Sequence, residues 1–469
     1  MTGHAPGIPA TGPLPGTRSP RALAGVLAAM AVSLTGTRIS AVALPWFVLV
    51  TTGSATRTGL VAFCEMAPYV LVKALTGPLV DRTGPRTVSW TTDLASASAA
   101  LAVPVCHAAD VLSFPLLLAL VAVIGAVRGP GDLAKEVMVP EAAERAGTPL
   151  VRATGLSGVT ERLASTLGPA AGGGLVALLG PLAGLVVNAA CFALGSVIIA
   201  LALPRGTGRP AQEAAPRTGT PEPGYWKRFG EGLAFLRSEP LLLTVIVTIG
   251  ITNLLDAAFA TVLLPVWAKT SGNGPAALGL LGSTMGATAV AGSLIAAMAA
   301  HRLRRRLVFF AGFLLGGAPR FLILAWDLPL GAALAVFAVG GFGVGFVNPV
   351  LGAVLFERVP RHMLGRVRAL GDSLAWAGIP LGGLLAGAAV AATGLFPVLL
   401  AGGIVYCLTT SLAGLRPEWR EMDEGPPARG GGGEEDDVPA VPRQATEPET
   451  APTAPPRPRT GGGGRSAGT

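Results

Sequence analysis

Charged side chains lie inside several long apolar stretches of this chain of 469 residues. In hydrocarbon such groups are costly, and they persist where they pair with one another or face water. Burial favours the protonated form of a carboxyl group, and a nearby guanidinium favours the ionised form. A carboxylate in this setting can therefore take up and release a proton. The candidates for proton coupling, or for contact with a charged solute in a cavity, are Arg38, Glu65, Arg128, Glu161 and Asp256.

A polar turn of ten residues, Gly77 to Arg86, connects two of these apolar stretches. Gly77 and Gly84 allow the backbone to turn sharply and helices to approach closely. Asp81 can accept hydrogen bonds from an exposed helix N-terminus. Arg82 and Arg86 favour the cytoplasmic side of a membrane. Because the turn is short, we expect the two flanking segments to lie side by side and antiparallel.

Composition indicates a polytopic membrane protein. Hydrophobic residues make up 51% of the chain and charged residues only 13%, whereas soluble domains average about 25% charged residues. The mean hydropathy is +0.59. The net charge of +8 does not indicate a nucleic-acid partner, because the basic residues cluster in short connections between apolar runs.

The sequence lacks the patterns that are typical of catalysis, metal binding or nucleotide binding. The four cysteines lie in apolar stretches without metal or disulfide spacing, and the four histidines are scattered. The sequence has no H-E-x-x-H pair and no Walker motif. We therefore expect no metal, no cofactor, no ATP-driven pumping and no enzymatic activity.

Twelve apolar runs each approach the roughly 20 residues needed to cross about 30 Å of hydrocarbon. They cover residues 21–50, 58–80, 87–108, 111–135, 153–179, 181–204, 241–268, 275–300, 307–326, 328–356, 371–393 and 396–415. Residues 1–20 and 416–469 are rich in Pro, Gly and charge, which predicts disordered tails. The fold class predicted is an all-α membrane protein with twelve transmembrane helices.

Basic residues are distributed unevenly over the connections between these runs. The odd-numbered connections hold only Arg57 and Lys269, whereas the even-numbered ones hold clusters, as at residues 82–86, 302–306 and 358–368. Positively charged connections stay in the cytoplasm. The distribution predicts a multi-pass protein of the plasma membrane with both termini cytoplasmic.

The polar turn reads G-x-L-x-D-R-x-G-x-R, and this pattern resembles the signature loop between the second and third transmembrane helices of the major facilitator superfamily. The resemblance implies a cytoplasmic gate made of Gly77, Asp81, Arg82, Gly84 and Arg86, to which we add Asp93 just downstream. It also implies that Asp81 meets the start of the eleventh segment, near residues 371–373, when the gate closes. Neutralising Asp81 or Arg86 is then expected to slow transport more than it lowers expression.

A second pattern lies in the fifth run. Gly168, Pro169, Gly172 and Gly173 form G-P-x-x-G-G, which resembles the motif of proton-coupled exporters in the same superfamily, with Ala164 where the fuller pattern has glycine. Proline kinks a helix and small residues let a neighbouring helix approach. A looser counterpart, Gly378-Ile-Pro380-Leu-Gly382-Gly383, occurs in the second half. Arg128 occupies the place of a buried family arginine, although the glutamine and glycine that usually follow it are missing.

The two halves of the chain repeat. Leu44-Pro45 and Gly59-Leu60 recur 220 residues later as Leu264-Pro265 and Gly279-Leu280. Two six-helix halves with a binding cavity between them are typical of facilitator-type transporters. The domains predicted are residues 21–204 and 240–415, joined by a cytoplasmic linker at 205–239. Tyr225–Arg237 in this linker is predicted to be a helix that either lies on the leaflet or simply joins the halves.

Under this alignment Asp256 stands opposite Gly36, two residues before Arg38. Both charges could therefore face one cavity, and Asp256 is a candidate proton carrier alongside Glu161 and Glu65. The function expected is proton-coupled export of small amphiphilic molecules by alternating access, by a monomer in the lipid bilayer. The alternatives are import or uniport of a polar molecule and, least favoured, a membrane-embedded enzyme.

Overall fold

The structure is a computed structural model, and it describes residues 20–204, 225–299, 305–359 and 364–416. The regular elements in these ranges are helices. They are α1 Pro20–Thr52, α2 Ala55–Leu75, α3 Gly77–Thr83, α4 Pro85–Ala108, α5 Phe114–Ala146, α6 Leu150–Leu179, α7 Pro181–Ala202, α8 Tyr225–Ser238, α9 Pro240–Ala258, a π-helical turn Phe259–Leu263, α10 Leu264–Thr270, α11 Gly274–Ala299, α12 Arg305–Gly316, α13 Ala318–Ala325, α14 Leu330–Arg358, α15 Leu364–Trp376, α16 Ile379–Thr393 and α17 Leu395–Leu415.

Local sequence signals set several helix ends. Ser54 caps α2 by accepting a hydrogen bond from the Arg57 amide, and Ser113 caps α5 through the Leu116 amide. Serine is favoured at such positions because its side chain satisfies an otherwise free amide. Gly147 ends α5 in a left-handed conformation (φ 64°), which glycine adopts without strain.

Ten spans in the described residues are long and apolar enough to cross a membrane. Helices α4 and α6, with 24 and 30 residues, have the length but are more polar. With these two, the described helices match the twelve predicted runs one for one. Three crossings are composite: α9, the π turn and α10 are continuous, α12 and α13 meet at Gly317, and α15 and α16 meet at residues 377–378.

Some predicted boundaries were wrong. The second run ends at Leu75 instead of Val80, and the polar turn forms the separate short helix α3. The fourth run extends eleven residues beyond Lys135, to Ala146. The terminal segments predicted to be disordered, and most of the linker, lie outside the described residues.

The linker helix α8 packs against the C-terminal half. Its Leu236 is fully buried in a cluster with Leu241, Leu242 and Val367. Burying a leucine side chain contributes about 1.5–3 kcal/mol, so this contact fixes the end of α8 to α9 and α15. The arrangement favours a joining helix over one that lies on the leaflet.

Each half is a six-helix bundle. In the N-terminal half α1 packs on α6 and α7, α2 on α5, and α4 on both α5 and α7. In the C-terminal half α11 and α12 pack on α14, α13 on α17, and α9 on α15 and α16. Across the halves the extensive contacts are α6 with α11 and α2 with α16.

Candidate functional site

The two halves meet closely at the end of the molecule that carries the α1–α2 and α10–α11 turns, here called the closed end. A Cβ on Gly173 of α6 would lie 2.7 Å from Gly279 Cα of α11, and a Cβ on Gly59 of α2 would overlap the carbonyl of Gly383 in α16. Such backbone approach requires glycine. The predicted exporter-type motif thus lies at the contact between the halves.

This contact is repeated by the internal symmetry. Gly59 and Gly279 are equivalent under the 220-residue offset, and Gly173 and Gly383 occupy the same place in the motif and its counterpart. Each interface therefore pairs a motif glycine of one half with a repeat glycine of the other. The looser counterpart predicted in the second half has the same packing role as the motif itself.

The other motif residues pack against α1 and α11. A Cβ on Gly168 would overlap Arg38 Cβ, and one on Gly172 would lie 3.1 Å from Ile39 Cα. The Pro169 ring meets Gly282 of α11, where an added Cβ would be 3.0 Å from the proline Cβ. The motif therefore places α6 between α1 of its own half and α11 of the other.

Two hydrogen bonds also join the halves at the closed end. Lys269 Nζ donates to the Leu49 carbonyl at 2.9 Å, near the C-terminus of α1, and Thr56 Oγ1 donates to the Gly387 carbonyl at 3.2 Å. A cation at a helix C-terminus is favoured by the helix dipole. Lys269, predicted only as a loop charge, therefore holds the halves together.

Away from the closed end lies a cavity of about 210 Å³. Three of its lining side chains are basic and three are acidic, so their formal charges cancel. The lining residues are Met30, Ser33, Leu34, Arg38, Tyr69, Lys73, Asp132, Lys135, Glu136, Ser157, Glu161 and Trp376. Of the predicted cavity charges, Arg38 and Glu161 line this space.

A ladder of polar pairs joins α2 to α5 along one wall of the cavity. The pairs are Glu65 with Arg128, Tyr69 with Asp132, and Lys73 with Glu136, at 3.1, 3.3 and 3.1 Å. Each pair is separated by 63 residues, because the two helices run in the same direction and both present every fourth residue to the other. Arg128 is buried, as its place in the sequence predicted.

Aromatic rings cover this ladder. The Arg128 guanidinium lies 4.3 Å from the Tyr69 ring centroid. Lys73 Nζ lies 5.8 Å from the same ring and 5.4 Å from that of Trp376. The Tyr69 and Trp376 rings stack at 6.5 Å, which brings α15 of the second half against α2 of the first at the cavity. Such cation–π contacts contribute about 0.5–2 kcal/mol each.

Asp93 is buried inside the N-terminal half. Its Oδ1 lies 2.7 Å from Lys135 Nζ, and both side chains are 3% exposed. We predicted Asp93 as part of the gate at the polar turn. Its ion-pair partner is a lysine that lines the cavity, and its role in the gate stays a prediction.

Asp256 pairs within its own half. Its Oδ1 accepts a hydrogen bond from Arg320 of α13, whose guanidinium lies over the Phe259, Phe321 and Tyr406 rings. The π turn begins three residues after Asp256, and π turns often occur at functional sites. The ion-pair partner of Asp256 is therefore Arg320, and of the two charges expected to face one cavity, Arg38 lines it whereas Asp256 is not among the lining residues.

The arginines of the polar turn have different surroundings. Arg86 donates to the Leu203 and Ala200 carbonyls at 2.9 and 2.7 Å, which caps the C-terminus of α7. Its repeat equivalent Arg306 donates to the Gly414 carbonyl near the end of α17. Arg82 is exposed. Gly84 has φ 87°, which explains the need for glycine there.

The side chain of Asp81 lies outside the described residues, so its predicted contact with the eleventh segment stays a prediction. Gly77 has open space around it.

Sequence reasoning missed much of the cavity wall. Tyr69, Asp132, Lys135, Glu136 and Trp376 were not predicted as site residues. A signal was present, because residues 65, 69 and 73 and residues 128, 132 and 136 share the same four-residue spacing. Matching two such polar stripes would have predicted the α2–α5 ladder.

Known proteins resemble this chain over most of its length. The family model described as transmembrane secretion effector matches residues 19–429. The chain is 32% identical over 411 residues to the multidrug efflux pump Tap of Mycobacterium tuberculosis, covering 86% of this chain and 95% of that protein. It is also 32% identical over 393 residues to Tap of Mycolicibacterium fortuitum, covering 83% and 94%.

Two solved structures share the fold. The nucleoside transporter NupG matches with a TM-score of 0.66 at 15% identity, over 84% of this chain and 98% of that one. A bacterial homologue of the human lysosomal transporter Spinster, inward-facing and unoccupied, matches with a TM-score of 0.65 at 13% identity, over 87% and 99%. These similarities, at low identity, concern the fold alone.

The polar turn and the exporter-type motif predicted a facilitator, and the helical bundle has that fold. The family model covers most of the chain, and relatives at 32% identity align over nearly their whole length. The chain belongs to the transmembrane secretion effector family of major facilitator superfamily transporters.

Proposed function

We propose that this protein exports small amphiphilic molecules from the cell in exchange for protons. The observation that carries this proposal is the charge-lined cavity formed by α1, α2, α5 and α6 of the first half together with Trp376 of the second half. Such a cavity at the interface of two repeats is where facilitator-type transporters bind their substrates. The efflux function named for the Tap relatives supports export as the direction.

Alternating access follows from the packing of the halves. The closed end combines the glycine contacts and two hydrogen bonds with an apolar cluster that contains Leu49 of the first half and Trp267 of the second. Close glycine contacts let the helices pack tightly in one state, and opening this end would also separate part of the apolar cluster. The cavity lies on the other side of this contact, where Glu136 has 56% of its side chain exposed. Rocking of the halves about the cavity would then expose it to each side in turn.

The cavity also suggests how a varied set of molecules can bind. Tyr69 and Trp376 supply flat apolar faces, Met30 and Leu34 supply flexible apolar contacts, and both signs of charge are present. Amphiphilic molecules of different shapes can use different subsets of these groups. Stacking and charge contacts, rather than one fixed hydrogen-bond pattern, would determine affinity.

Proton exchange requires a carboxylate that changes its protonation during the cycle. Glu65 beside Arg128, Asp256 beside Arg320 and Glu161 on the cavity wall are the candidates that the sequence predicted. In each case a guanidinium or an open cavity could stabilise the ionised form in one state and be withdrawn in another.

We further propose that both termini and the linker face the cytoplasm of the plasma membrane, because basic residues cluster in the even-numbered connections and such connections favour the cytoplasmic side. The halves at residues 21–204 and 240–415 would then act as the two rocking bodies of a single chain, and a monomer would suffice for transport.

The test is dye retention in cells with and without the protein. Cells that contain it should retain less of a cationic amphiphilic dye such as ethidium, and a protonophore should abolish the difference. Equal retention in both strains for a panel of amphiphilic dyes and drugs would refute export. Faster uptake of a nucleoside or sugar in the cells with the protein would favour the importer alternative.

A further inference from the structure

The Asp93–Lys135 pair is unlike the other ion pairs of the cavity wall. It is the most deeply buried of them, with both side chains 3% exposed. Glu65 and Asp132, in contrast, have 17% and 20% of their side chains exposed. Lys135 nevertheless lines the cavity, so this pair connects the cavity to the interior of the N-terminal half.

The second carboxylate oxygen of Asp93, Oδ2, and the Ser33 hydroxyl both adjoin Gly195, where an added Cβ would be 3.2 and 2.6 Å from them. Ser33 is close enough to interact with the carboxylate. Neither atom, however, has a hydrogen bond of good geometry to any residue that the structure describes. An ionised carboxylate with an unsatisfied oxygen in a buried place is costly.

Further buried polar groups without partners among the described residues lie on α4 and α7. Ser89 and Ser96 lie four residues before and three residues after Asp93, on the same face of α4, and their hydroxyls are buried without partners among the described residues. On α7, Asn188 Oδ1 is likewise buried and unpartnered within the described ranges. Ser33, Ser89, Asp93, Ser96 and Asn188, all buried, are here called the polar seam. Buried groups of this kind are commonly bridged by water.

Protonation of Asp93 removes the negative charge that holds Lys135 in place. A neutral carboxyl group no longer needs a cation and can donate its new O–H into the seam. Lys135 is then a buried, unpaired ammonium, which is strongly disfavoured. Its flexible four-carbon stem can bring Nζ to the cavity, where Asp132 and Glu136 are the nearest carboxylates along α5.

We propose that Asp93 is the proton-binding site of this transporter and that Lys135 is the switch by which the proton displaces a cationic substrate. When Asp93 is ionised it holds Lys135 at a distance from the cavity carboxylates. Asp132 and Glu136 already pair with Arg128 and Lys73, so a further cation can approach them only while Lys135 stays away. When Asp93 is protonated, Lys135 moves towards these carboxylates and adds its positive charge to the cavity. A proton and a cationic substrate then exclude each other, as exchange in opposite directions requires.

The charged groups that face Asp93 are Lys135 and Asp132, both on α5. The other helices against α4 present uncharged groups to it: α1 presents Ser33, and α7 presents Gly195. Helix α3 meets α4 through the apolar contact of Val80 with Val88. Lys135 is therefore the cation whose position the charge of Asp93 controls.

This inference rests on the proposed proton exchange, and one assay separates the two. Purified full-length protein in weakly buffered detergent is mixed with ethidium, and proton release is followed with a pH indicator while ethidium binding is followed by its fluorescence. The wild type should release protons as ethidium binds. The double variant Asp93→Asn with Lys135→Gln, which removes both buried charges, should bind ethidium with an affinity that does not vary with pH and should release no proton.

Two further variants exclude a merely structural role. Asp93→Glu keeps a titratable group, so release should persist while the pH of half-maximal release shifts. Asp93→Asn alone leaves Lys135 free to occupy the cavity, so ethidium binding at high pH should weaken about tenfold. The control is Glu141→Gln, which breaks the α5 pair with Arg145 away from the cavity and should match the wild type.

The outcomes distinguish the two ideas. No proton release from the wild type would refute proton exchange and this inference with it. If the wild type and the double variant release equal amounts of protons, the role of Asp93 is refuted while proton exchange itself stands. If the double variant does not fold, an unchanged pH of half-maximal release in Asp93→Glu would equally refute it.

Discussion

Gly173→Ala should weaken the contact that closes one end of the transporter. The new Cβ would lie 2.7 Å from Gly279 Cα and 2.8 Å from the Pro275 carbonyl oxygen, both backbone atoms of the opposite half. Distances below 3.0 Å do not occur between a real Cβ and such atoms, so the two helices must move apart. The neighbouring Gly174 has open space around it, which makes Gly174→Ala a matched control with the same change in helix propensity.

The magnitude follows from the cost of overpacking. Inserting a methyl group into a tightly packed contact costs about 1–3 kcal/mol, and here the cost falls only on the conformation in which the halves touch. A difference of that size changes the ratio of the two conformations by about 5- to 150-fold. Gly173→Ala should therefore shift the protein from the conformation closed at this end towards the one open there.

Distances between spin labels at Ser54 and Ser271, in a background without the four native cysteines, report this shift directly. These residues lie in the α1–α2 and α10–α11 turns at the closed end. In Gly173→Ala a longer distance should gain population, and Gly174→Ala should match the unsubstituted protein. Identical distance distributions for the two variants would refute the view that glycine contacts hold this end closed.

Three further changes test other contacts. Arg86→Ala removes two charge-assisted hydrogen bonds to the end of α7 and should destabilise the protein by about 2–4 kcal/mol, measured as a lower melting temperature in detergent. Arg82 is exposed, so Arg82→Ala should leave the melting temperature unchanged. Equal melting temperatures for the two variants would contradict the capping role of Arg86. Lys269→Met removes the hydrogen bond from the Lys269 ammonium across the closed end and should lengthen the same spin-label distances as Gly173→Ala. Unchanged distances would show that Lys269 does not hold the two halves together. Arg320→Met leaves Asp256 without its partner and should lower the free energy of unfolding by about 2–3 kcal/mol. This is less than the ~3–5 kcal/mol of a fully buried pair, because the Asp256 carboxylate is 42% exposed. Adding Asp256→Asn should restore part of the melting temperature, and no restoration would show that the two side chains are not coupled.

The sequence predicted the helices well because these depend on local composition. Membrane crossing requires long apolar runs, and the turn residues Gly84 and Ser113 act through the backbone next to them. The glycine motif in α6 was also recognisable, although its partner Gly279 became apparent only when α6 was seen packed on α11.

Side-chain partners were harder to predict, since they depend on how helices rotate against one another. Asp93 was assigned to the gate because it follows the polar turn, yet its helix face is turned inward to Lys135. Arg86 was assigned to the same gate, and its guanidinium caps α7. A charge close to a motif in sequence can thus have its ion-pair partner on another helix.

The most direct test of the account is simultaneous measurement of proton and substrate movement in proteoliposomes. Purified protein is reconstituted with an internal pH indicator, ethidium is supplied outside, and a pH gradient acid inside is imposed. The account predicts that ethidium accumulates inside while protons leave, and that collapsing the gradient with nigericin stops both. Ethidium accumulation that leaves the internal pH unchanged, or no accumulation with the gradient intact, would contradict proton-coupled export.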